Sequence, residues 1–217
     1  MSYLILWLRK NDHLFLPHYL VTQKNKGAIK FSEKYRLFET KPIFFLQTTV
    51  IIMQSDTFLI RPIETNDNPA MAAIIREVMT AYGAVGDGFS INDPEVDLMY
   101  EYYQEPGCAY LVLSDAQHQV WGGGGVGPLA GGDPGICELK KMYFLPSVRG
   151  KGMGQQMVQS LLAEAQKLGY HTCYLETLER MTEAKALYLK MGFEKLCGQM
   201  GNTGHGGCDS FYAKKVG

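Results

Sequence analysis

Beyond residue 57, the hydrophobic and polar positions of the chain follow strand-like and helix-like patterns in turn. Short apolar runs predict strands at residues 58–63, 109–113, 136–145, 173–177, 193–196 and 210–213, with a further strand beginning at Val120-Trp121. Apolar residues three and four apart predict helices after Asn68-Pro69, after Asp93-Pro94, over residues 152–168 and after Thr182. The order β-α-α-β-β-β-α-β-α-β-β predicts an α/β fold with a mixed (α+β) sheet. Its first half should be antiparallel, with one strand–helix–strand crossover later.

Capping residues mark the ends of these predicted helices. Asn68 and Asp93 each precede a proline, which favours them as N-caps with the proline at the first helical position. Thr182 is predicted to cap the last helix in the same way. Gly169 and Gly192 follow helical runs and are predicted to stop them.

Glycine also interrupts one predicted strand. Residues 122–125 are four consecutive glycines directly after Val120-Trp121. Glycine within a strand indicates a bulge or a close approach by another part of the molecule. We therefore predict one of these two features in the strand that begins at Val120.

The first 52 residues differ from the rest of the chain. They contain apolar patches without a clear period, and we interpret residues 1–52 as an N-terminal extension whose order the sequence does not fix. Residues 53–217 form the predicted domain. Met53 lies directly before the well-patterned part, which suggests the hypothesis that it is the native start. The alternative is an ordered extension that packs on the domain.

Composition narrows the class of protein. Of 217 residues, 46% are hydrophobic and 20% are charged, as in ordinary globular proteins. The net charge of −1 argues against a nucleic-acid partner, and no run of about 18 apolar residues predicts a membrane span. The five cysteines are scattered and odd in number, without a C-x-x-C pair. We therefore predict reduced thiols in a cytoplasmic protein, and no metal site.

One glycine-rich segment predicts an anion-binding site. Residues 149–154, Arg-Gly-Lys-Gly-Met-Gly, connect the strand at 136–145 to the helix that opens at Gly152. The glycines let a ligand approach the backbone, and the first N–H groups of a helix lack intrahelical partners. Together with the helix dipole they favour phosphate. The segment lacks the Gly-Lys-Ser/Thr ending of a nucleotide-triphosphate loop and the glycine spacing of the dinucleotide fingerprint.

With its surroundings, this segment resembles the GNAT N-acetyltransferase family over residues 57–215. Arg149, Gly152 and Gly154 fill the set places of the family's Gln/Arg-x-x-Gly-x-Gly/Ala pyrophosphate loop. The pattern A-x-x-L-Y-x-x-x-G-F at residues 184–193 matches a second family segment. The resemblance implies the GNAT acyl-CoA N-acyltransferase fold, a mixed central sheet with helices on both faces. It also implies acetyl-CoA as the co-substrate.

The resemblance assigns cofactor contacts by position. Four residues of the strand before the loop are implied to bind the pantetheine arm through main-chain atoms: Lys141, Met142, Tyr143 and Phe144. The loop is implied to bind the pyrophosphate through its amides: Arg149, Gly150, Lys151, Gly152, Met153 and Gly154. The side chains of Met142 and Tyr143 are interpreted as core packing. Met181 stands where many relatives have an asparagine that contacts the cofactor.

Two catalytic residues follow from the same resemblance. Tyr188 matches the tyrosine near the thioester sulfur, where a phenol can protonate or stabilise the departing thiolate. Glu138, the only acid in its apolar strand, matches a carboxylate that serves as general base in some members. The structural alternatives are that Tyr188 fills a helix face and that Glu138 pairs with Lys140 or Lys141.

His205 is a further candidate. It lies in the loop of residues 198–207, which holds five glycines, and could bind the acceptor or move a proton. An incidental surface histidine is the alternative.

The predicted function is transfer of acetyl from acetyl-CoA to a primary amine of a small molecule. The resemblance implies direct attack in a ternary complex, and no cysteine lies in a nucleophile motif. A protein lysine or N-terminal acetyltransferase and a non-catalytic acyl-CoA-binding module remain alternatives. The expected partner is the amine substrate, with a homodimer left open and no nucleic-acid or membrane partner.

Overall fold

A computed structural model of the chain describes residues 58–216 and two short strands before them. These strands, β1 (Leu8–Lys10) and β2 (His13–Phe15), pair with each other antiparallel. The chain divides into two units, residues 1–56 and 57–217. The predicted boundary after residue 52 and the hypothesis about Met53 lie outside the described residues. No helix among the described residues is long and apolar enough to cross a membrane.

Seven strands of the larger unit form one mixed sheet. They are β3 (Leu59–Pro62), β4 (Ala109–Ser114), β5 (Val120–Pro128), β6 (Ile136–Phe144), β7 (Thr172–Thr177), β8 (Glu194–Leu196) and β9 (Ser210–Lys215). Their spatial order is β3-β4-β5-β6-β7-β9-β8. Only the β6–β7 pair is parallel; the other neighbours are antiparallel. The predicted mixed sheet, with its antiparallel first half and single crossover, is confirmed.

Helices cover both faces of this sheet. They are α1 (Asn68–Ala81), α2 (Met99–Tyr102), α3 (Met153–Lys167) and α4 (Thr182–Lys190). Along β4, Leu111 and Leu113 belong to the core shared with α3 and α4, whereas Tyr110 and Val112 belong to the core shared with α1 and α2. Alternate residues of a strand point to opposite faces, so two hydrophobic cores sandwich the sheet.

Tertiary contacts change the predicted helix starts. Asn68 lies inside α1, and its side-chain oxygen accepts a 2.7 Å hydrogen bond from the backbone N–H of Tyr100 at the start of α2. Thr182 is the first residue of α4, with Met181 at the N-cap position. Asp93 precedes a 3₁₀ helix at Pro94–Asp97, yet its side chain makes no capping hydrogen bond. The predicted N-cap positions of Asn68 and Thr182 are therefore wrong. Asp93 does occupy the predicted N-cap position before Pro94, but its side chain binds partners distant in sequence instead of capping the helix. The helix predicted after Asp93-Pro94 is divided into this 3₁₀ helix and α2.

A β-bulge occurs where the four glycines of β5 face β6. Gly125 pairs with Lys140 and Gly123 pairs with Tyr143, so Gly124 faces two residues of β6. Lys141, one of those two, has a φ of 53°. A Cβ on Gly125 would lie 2.5 Å from the rings of Tyr103 and Tyr110. Both predicted features, a bulge and a close approach, are thus present.

Candidate active site

The two parallel strands of the sheet separate along their length and open a cleft. Pairing between β6 and β7 is limited to residues 136–138 with residues 172–174. The last three residues of β7 pair only with β9 on the other side. The part of β6 from Leu139 to Phe144 therefore borders a gap instead of a neighbouring strand. Backbone groups at such a gap are available to a ligand.

A long groove runs from this gap to the start of α3. Its cavity volume is about 550 Å³. It is lined by residues of β6, the glycine-rich loop, and helices α1, α3 and α4: Val78, Tyr82, Met142, Tyr143, Phe144, Val148, Arg149, Gly150, Gly152, Gly154, Gln155, Met181, Glu183, Ala184, Leu187, Tyr188 and Lys190. Seven of the ten predicted cofactor-contacting residues are therefore on its wall.

The glycine-rich loop has the backbone shape that its sequence predicts. Gly150 and Gly152 have φ values of 72° and 81°, and Gly152 is the N-cap residue of α3. A Cβ on either glycine would meet no atom within 4 Å. The space in front of both residues is open, and the first-turn N–H groups of α3 face no intrahelical partner. The loop therefore has the open space and the backbone N–H donors to bind a large anionic group.

Three of the predicted contacts differ from a simple lining role. Lys151 and Met153 do not line the groove. Lys151 Nζ lies 5.7 Å from the centre of the Phe58 ring. Met153, the first residue of α3, packs against the hydrophobic core. Lys141 lies deeper, on the wall of a second cavity. The carbonyl of Lys141 also accepts a 2.8 Å hydrogen bond from Tyr110 Oη. Main-chain contacts from Lys151, Met153 and Lys141 stay predictions.

Arg149 folds back onto the strand before it. Its Nε donates a 2.9 Å hydrogen bond to the carbonyl of Phe144, and its guanidinium lies 5.8 Å from the centre of the Tyr82 ring. The side chain therefore ties the loop to the end of β6. Because an exposed guanidinium keeps its other donors, it also adds positive charge beside the open loop.

A second, smaller cavity of about 70 Å³ continues the cleft toward α1 and the loop of residues 198–207. It is lined by residues that include Glu138, Lys141, Glu176, His205 and Cys208. Its wall thus brings together Glu138 and His205, the two residues for which the sequence predicts contact with the acceptor.

Five residues line both cavities, and they mark the junction between them. They are Met142, Tyr143, Met181, Ala184 and Tyr188. Met181 is the N-cap residue of α4 and accepts a hydrogen bond at its sulfur from Thr177 Oγ1 at 3.6 Å. An asparagine amide at this position would offer a cofactor a hydrogen-bond donor, and the thioether of Met181 has none. Tyr143, predicted as core, has its hydroxyl 3.2 Å from Ser90 Oγ.

Tyr188 lies at this junction on α4. Its ring packs between Phe193 and Tyr212, at centroid distances of 5.8 and 6.3 Å. Burial raises the pKa of Tyr188 well above its ordinary range. The phenol therefore keeps its proton at neutral pH and borders both cavities.

Glu138 lies in a cluster of charges. It is 3% exposed, and its carboxylate lies 3.8 Å from His205 Nδ1 and 4.0 Å from Lys140 Nζ. Both contacts are within ion-pair distance but are too long to be hydrogen bonds. The predicted pairing with Lys140 is present, but Lys141 points to Asp93 and Glu95 instead, at 2.5 and 3.1 Å.

The bulge explains why both lysines reach acidic or polar partners on the same face. Without it, Lys140 and Lys141 would point to opposite faces of the sheet. The extra residue in β6 places the two side chains on the same face of the sheet. Lys140 Nζ donates a 3.0 Å hydrogen bond to Tyr102 Oη, and Lys141 Nζ donates a hydrogen bond to Asp93. A fully buried ammonium is stable there because two carboxylates neutralise it.

Two acidic residues at the site, Asp93 and Glu176, have contacts that the sequence does not predict. Asp93 receives hydrogen bonds from His205 Nε2 at 3.1 Å and from Lys141. Glu176 accepts three hydrogen bonds at one oxygen, from Tyr174, Gln199 and Thr203, each at 2.9 Å. The sequence predicts Asp93 as a helix cap, and no local pattern signals these contacts. Among the described residues, no group of three His, Cys, Asp or Glu side chains is arranged to hold a metal ion.

Comparison of the sequence with known proteins identifies the family. The family described as "Acetyltransferase (GNAT) domain" matches residues 106–195. The chain is 43% identical over 152 residues to the uncharacterized N-acetyltransferase YjgM of Escherichia coli, covering 70% of this chain and 90% of that protein. It is 30% identical over 154 residues to an L-methionine sulfoximine/L-methionine sulfone acetyltransferase of Pseudomonas aeruginosa, covering 67% and 84%.

Solved structures share the fold. A GNAT-family acetyltransferase of Staphylococcus aureus has a TM-score of 0.65 at 15% identity, over 74% of this chain and 100% of that one. A phosphinothricin acetyltransferase of Sinorhizobium meliloti, solved with acetyl-CoA, has a TM-score of 0.59 at 20% identity, over 74% and 89%. The shared sheet agrees with the sequence matches. This chain belongs to the GNAT family and is an acetyl-CoA-dependent N-acetyltransferase.

Proposed function

We propose that this enzyme transfers the acetyl group of acetyl-CoA to a primary amine of a small molecule, by direct attack in a ternary complex. The observation that carries the proposal is the junction of two cavities at Tyr188, with Glu138 on the wall of the smaller one. A cofactor groove and an acceptor cavity that meet at one point allow both substrates to be bound together. Direct attack then needs no acyl-enzyme.

Glu138 is the proposed general base. A primary amine arrives mostly as ammonium at neutral pH and must lose a proton before its lone pair can attack. The carboxylate of Glu138 borders the acceptor cavity and takes that proton, directly or through one water. His205 Nδ1 and Lys140 Nζ lie 3.8 and 4.0 Å from this carboxylate.

Tyr188 is the proposed general acid. When the amine nitrogen bonds to the acetyl carbon, the carbon–sulfur bond breaks and a thiolate leaves. Tyr188 donates its phenolic proton to that sulfur, and the proton that the attacking nitrogen loses as the amide forms restores the phenol. Burial raises the pKa of Tyr188, so the phenol holds its proton at neutral pH until a stronger base, the thiolate, forms beside it.

The larger groove is the proposed acetyl-CoA site. Arg149, Gly150, Gly152 and Gly154 line the groove at the start of α3, and their backbone amides would hold the pyrophosphate. The edge of β6 borders the middle of the groove and offers backbone groups to the pantetheine arm. Acetyl-CoA supplies the acetyl group as a reactive thioester.

A small acceptor fits the smaller cavity better than a protein segment does. The cavity has a volume of about 70 Å³, and His205 on its wall is hydrogen-bonded to Asp93. The related Pseudomonas enzyme is named for two small acceptors, L-methionine sulfoximine and L-methionine sulfone. A protein lysine would have to enter as an extended side chain, and this remains the second candidate function.

Thiol release from acetyl-CoA in the presence of single amines tests the proposal. The panel contains L-methionine sulfone, phosphinothricin, spermidine, lysine and a lysine-containing peptide. We expect release that depends on one of the free small amines and exceeds release with the peptide. Acetylation of the peptide alone would contradict the small-molecule proposal.

The cofactor site gives a separate prediction. Gly152→Val should reduce acetyl-CoA affinity by at least about tenfold, because a branched side chain would occupy the open space before the first turn of α3. Isothermal titration calorimetry with acetyl-CoA measures the effect.

The matched control is Gly169→Val. Gly169 has a φ of 88°, a Cβ added to it would likewise meet no atom within 4 Å, and it ends α3 without lining the groove. Both substitutions incur the cost of a side chain at positive φ, about 1–2 kcal/mol. If both variants lose affinity equally, backbone strain explains the loss and the loop does not hold the pyrophosphate.

A further inference from the structure

Four charged side chains from three separate parts of the chain meet at the acceptor cavity and alternate in sign. Lys141 Nζ lies 2.5 Å from Asp93 Oδ2, and the same oxygen lies 3.1 Å from His205 Nε2. His205 Nδ1 then lies 3.8 Å from Glu138 Oε1. One side chain, His205, thus bridges two carboxylates, and one of these is the proposed base.

Asp93 is the centre of this arrangement. Burial by itself would raise the pKa of Asp93, but hydrogen bonds from His205 and Lys141 outweigh it and lower the pKa to about 2. The side chain of Lys141 is fully buried and also contacts Glu95, so it cannot move away from Asp93 at small cost. Asp93 therefore stays ionised and fixed.

His205 is held in place from both sides. Its own loop is anchored by Thr203, whose hydroxyl binds Glu176, and by the backbone N–H of Gly207, which donates to the carbonyl of Gly88 at 3.1 Å. The hydrogen bond to Asp93, and then the contact with Glu138, raise the pKa of His205 to about 9 against the effect of burial. At neutral pH the imidazole is therefore a cation with both nitrogens protonated.

We propose that Asp93 is a positioning residue, which holds His205 as an imidazolium beside Glu138 and so fixes the carboxylate that accepts the proton of the acceptor. The proposal rests on the proposed role of Glu138. His205 acts in it as a fixed counter-charge. It does not act as a base, because an imidazolium has no lone pair to accept a proton.

Other titratable groups face the same cluster. Lys140 lies 4.0 Å from Glu138, and Glu95 shares Lys141 with Asp93. Four more titratable side chains line the cavity: Tyr143, Glu176, Tyr188 and Cys208. Burial raises the pKa of Tyr143 and of Cys208 to about 12, so both are neutral where His205 titrates. The loss of the His205 proton is therefore the charge change to expect near pH 9.

The proposal predicts a specific pH signature for Asp93→Asn. Without the aspartate, the imidazolium loses its main partner, and the midpoint of the His205 titration should fall by at least about one pH unit from its value near 9. Imidazole NMR titration of the full-length protein measures the midpoint, and His205→Gln identifies the resonance. The high-pH limb of kcat/KM should move down together with the midpoint, measured with a panel amine that is still protonated at pH 9 and so still needs the base, such as the side-chain amine of lysine.

Two variants of the same region are the controls. Asp93→Glu keeps the charge and should restore the high midpoint. Asp97→Asn is the same chemical change four residues later, where the carboxylate binds the exposed Arg76 at 2.7 Å and lines neither cavity. It should leave the His205 midpoint and the pH profile unchanged.

The result that overturns the proposal is an unchanged His205 midpoint in Asp93→Asn, or a lowered midpoint with an unchanged pH profile of kcat/KM. If Asp93→Asn fails to fold, His205→Gln tests the same ion pair and leaves Asp93 bound to Lys141. Its kcat/KM should fall at neutral pH and lose the limb near pH 9 that the imidazolium causes; a wild-type pH profile overturns the proposal. Full activity of Glu138→Gln would instead refute the proposed base itself, whatever Asp93→Asn shows.

Discussion

Glu138→Gln is expected to lower kcat by about 10²–10⁴-fold at neutral pH, the range that a positioned acid or base contributes. The amide keeps the size of the buried side chain but cannot accept a proton from an ammonium group. Binding of acetyl-CoA should change little, because Glu138 lines the smaller cavity and not the groove. Steady-state kinetics with the most active amine, together with calorimetry for acetyl-CoA, measure the two effects.

The defect of Glu138→Gln should shrink as pH rises. At high pH the amine arrives already deprotonated, and the base has less to do. The ratio of wild-type to variant kcat should therefore fall toward one near the pKa of the amine, and it should be smaller for weakly basic amines at every pH.

Glu194→Gln is the control for this variant. Glu194 lies exposed in β8, lines neither cavity and undergoes the same chemical change. Its kcat should equal that of the wild type. If Glu138→Gln also keeps the wild-type kcat across the pH range, the proton is removed by another group, and water is then the first alternative because His205 is already protonated.

Tyr188→Phe is expected to produce a loss of similar size, about 10²–10⁴-fold in kcat, for a different reason. The variant keeps the ring that packs between Phe193 and Tyr212 and loses only the hydroxyl. The departing thiolate then has no acid beside it. Since the nucleophile is not affected, raising the pH should not restore the rate, in contrast to Glu138→Gln.

Tyr212→Phe separates catalysis from packing. Tyr212 is 1% exposed, lies in the same core and lines neither cavity. Its loss of a hydroxyl should leave kcat unchanged. A wild-type kcat for Tyr188→Phe would show that the phenol has a structural role only. A more reactive thioester with a better leaving thiolate should reduce the Tyr188→Phe defect, which kinetics with such an analogue would detect.

The order of the elements follows from the sequence because each strand and helix has its own local period. The apolar run of β6, the glycine-rich loop and the apolar stripe of α3 are contiguous, so their succession can be read directly. The positive φ values of Gly150 and Gly152 likewise follow from the residue type. The sequence by itself thus determined the mixed sheet, the loop at the start of α3, and the positions of Glu138 and Tyr188 in the chain.

The cleft and the bulge depended on pairing between strands. The sequence of β6 does not state that Gly124 faces two residues, or that β7 leaves β6 after three residue pairs. One extra residue in a strand moves every following side chain to the opposite face of the sheet. The strand propensity of the sequence hardly changes with that shift. The burial of Lys141 therefore depends on how the strands pair in the folded protein.

The contacts of Asp93 show the same division most clearly. Its local sequence, Asp-Pro, favours a helix cap, which is worth about 1 kcal/mol. In the structure it binds Lys141 and His205, which are 48 and 112 residues away in the chain. A buried cation left without a partner would cost more than a lost cap, so the long-range pairs prevail. Sequence alone made Glu138 the candidate base, and only the tertiary structure decided which charges surround it, because contacts over such separations have no local period.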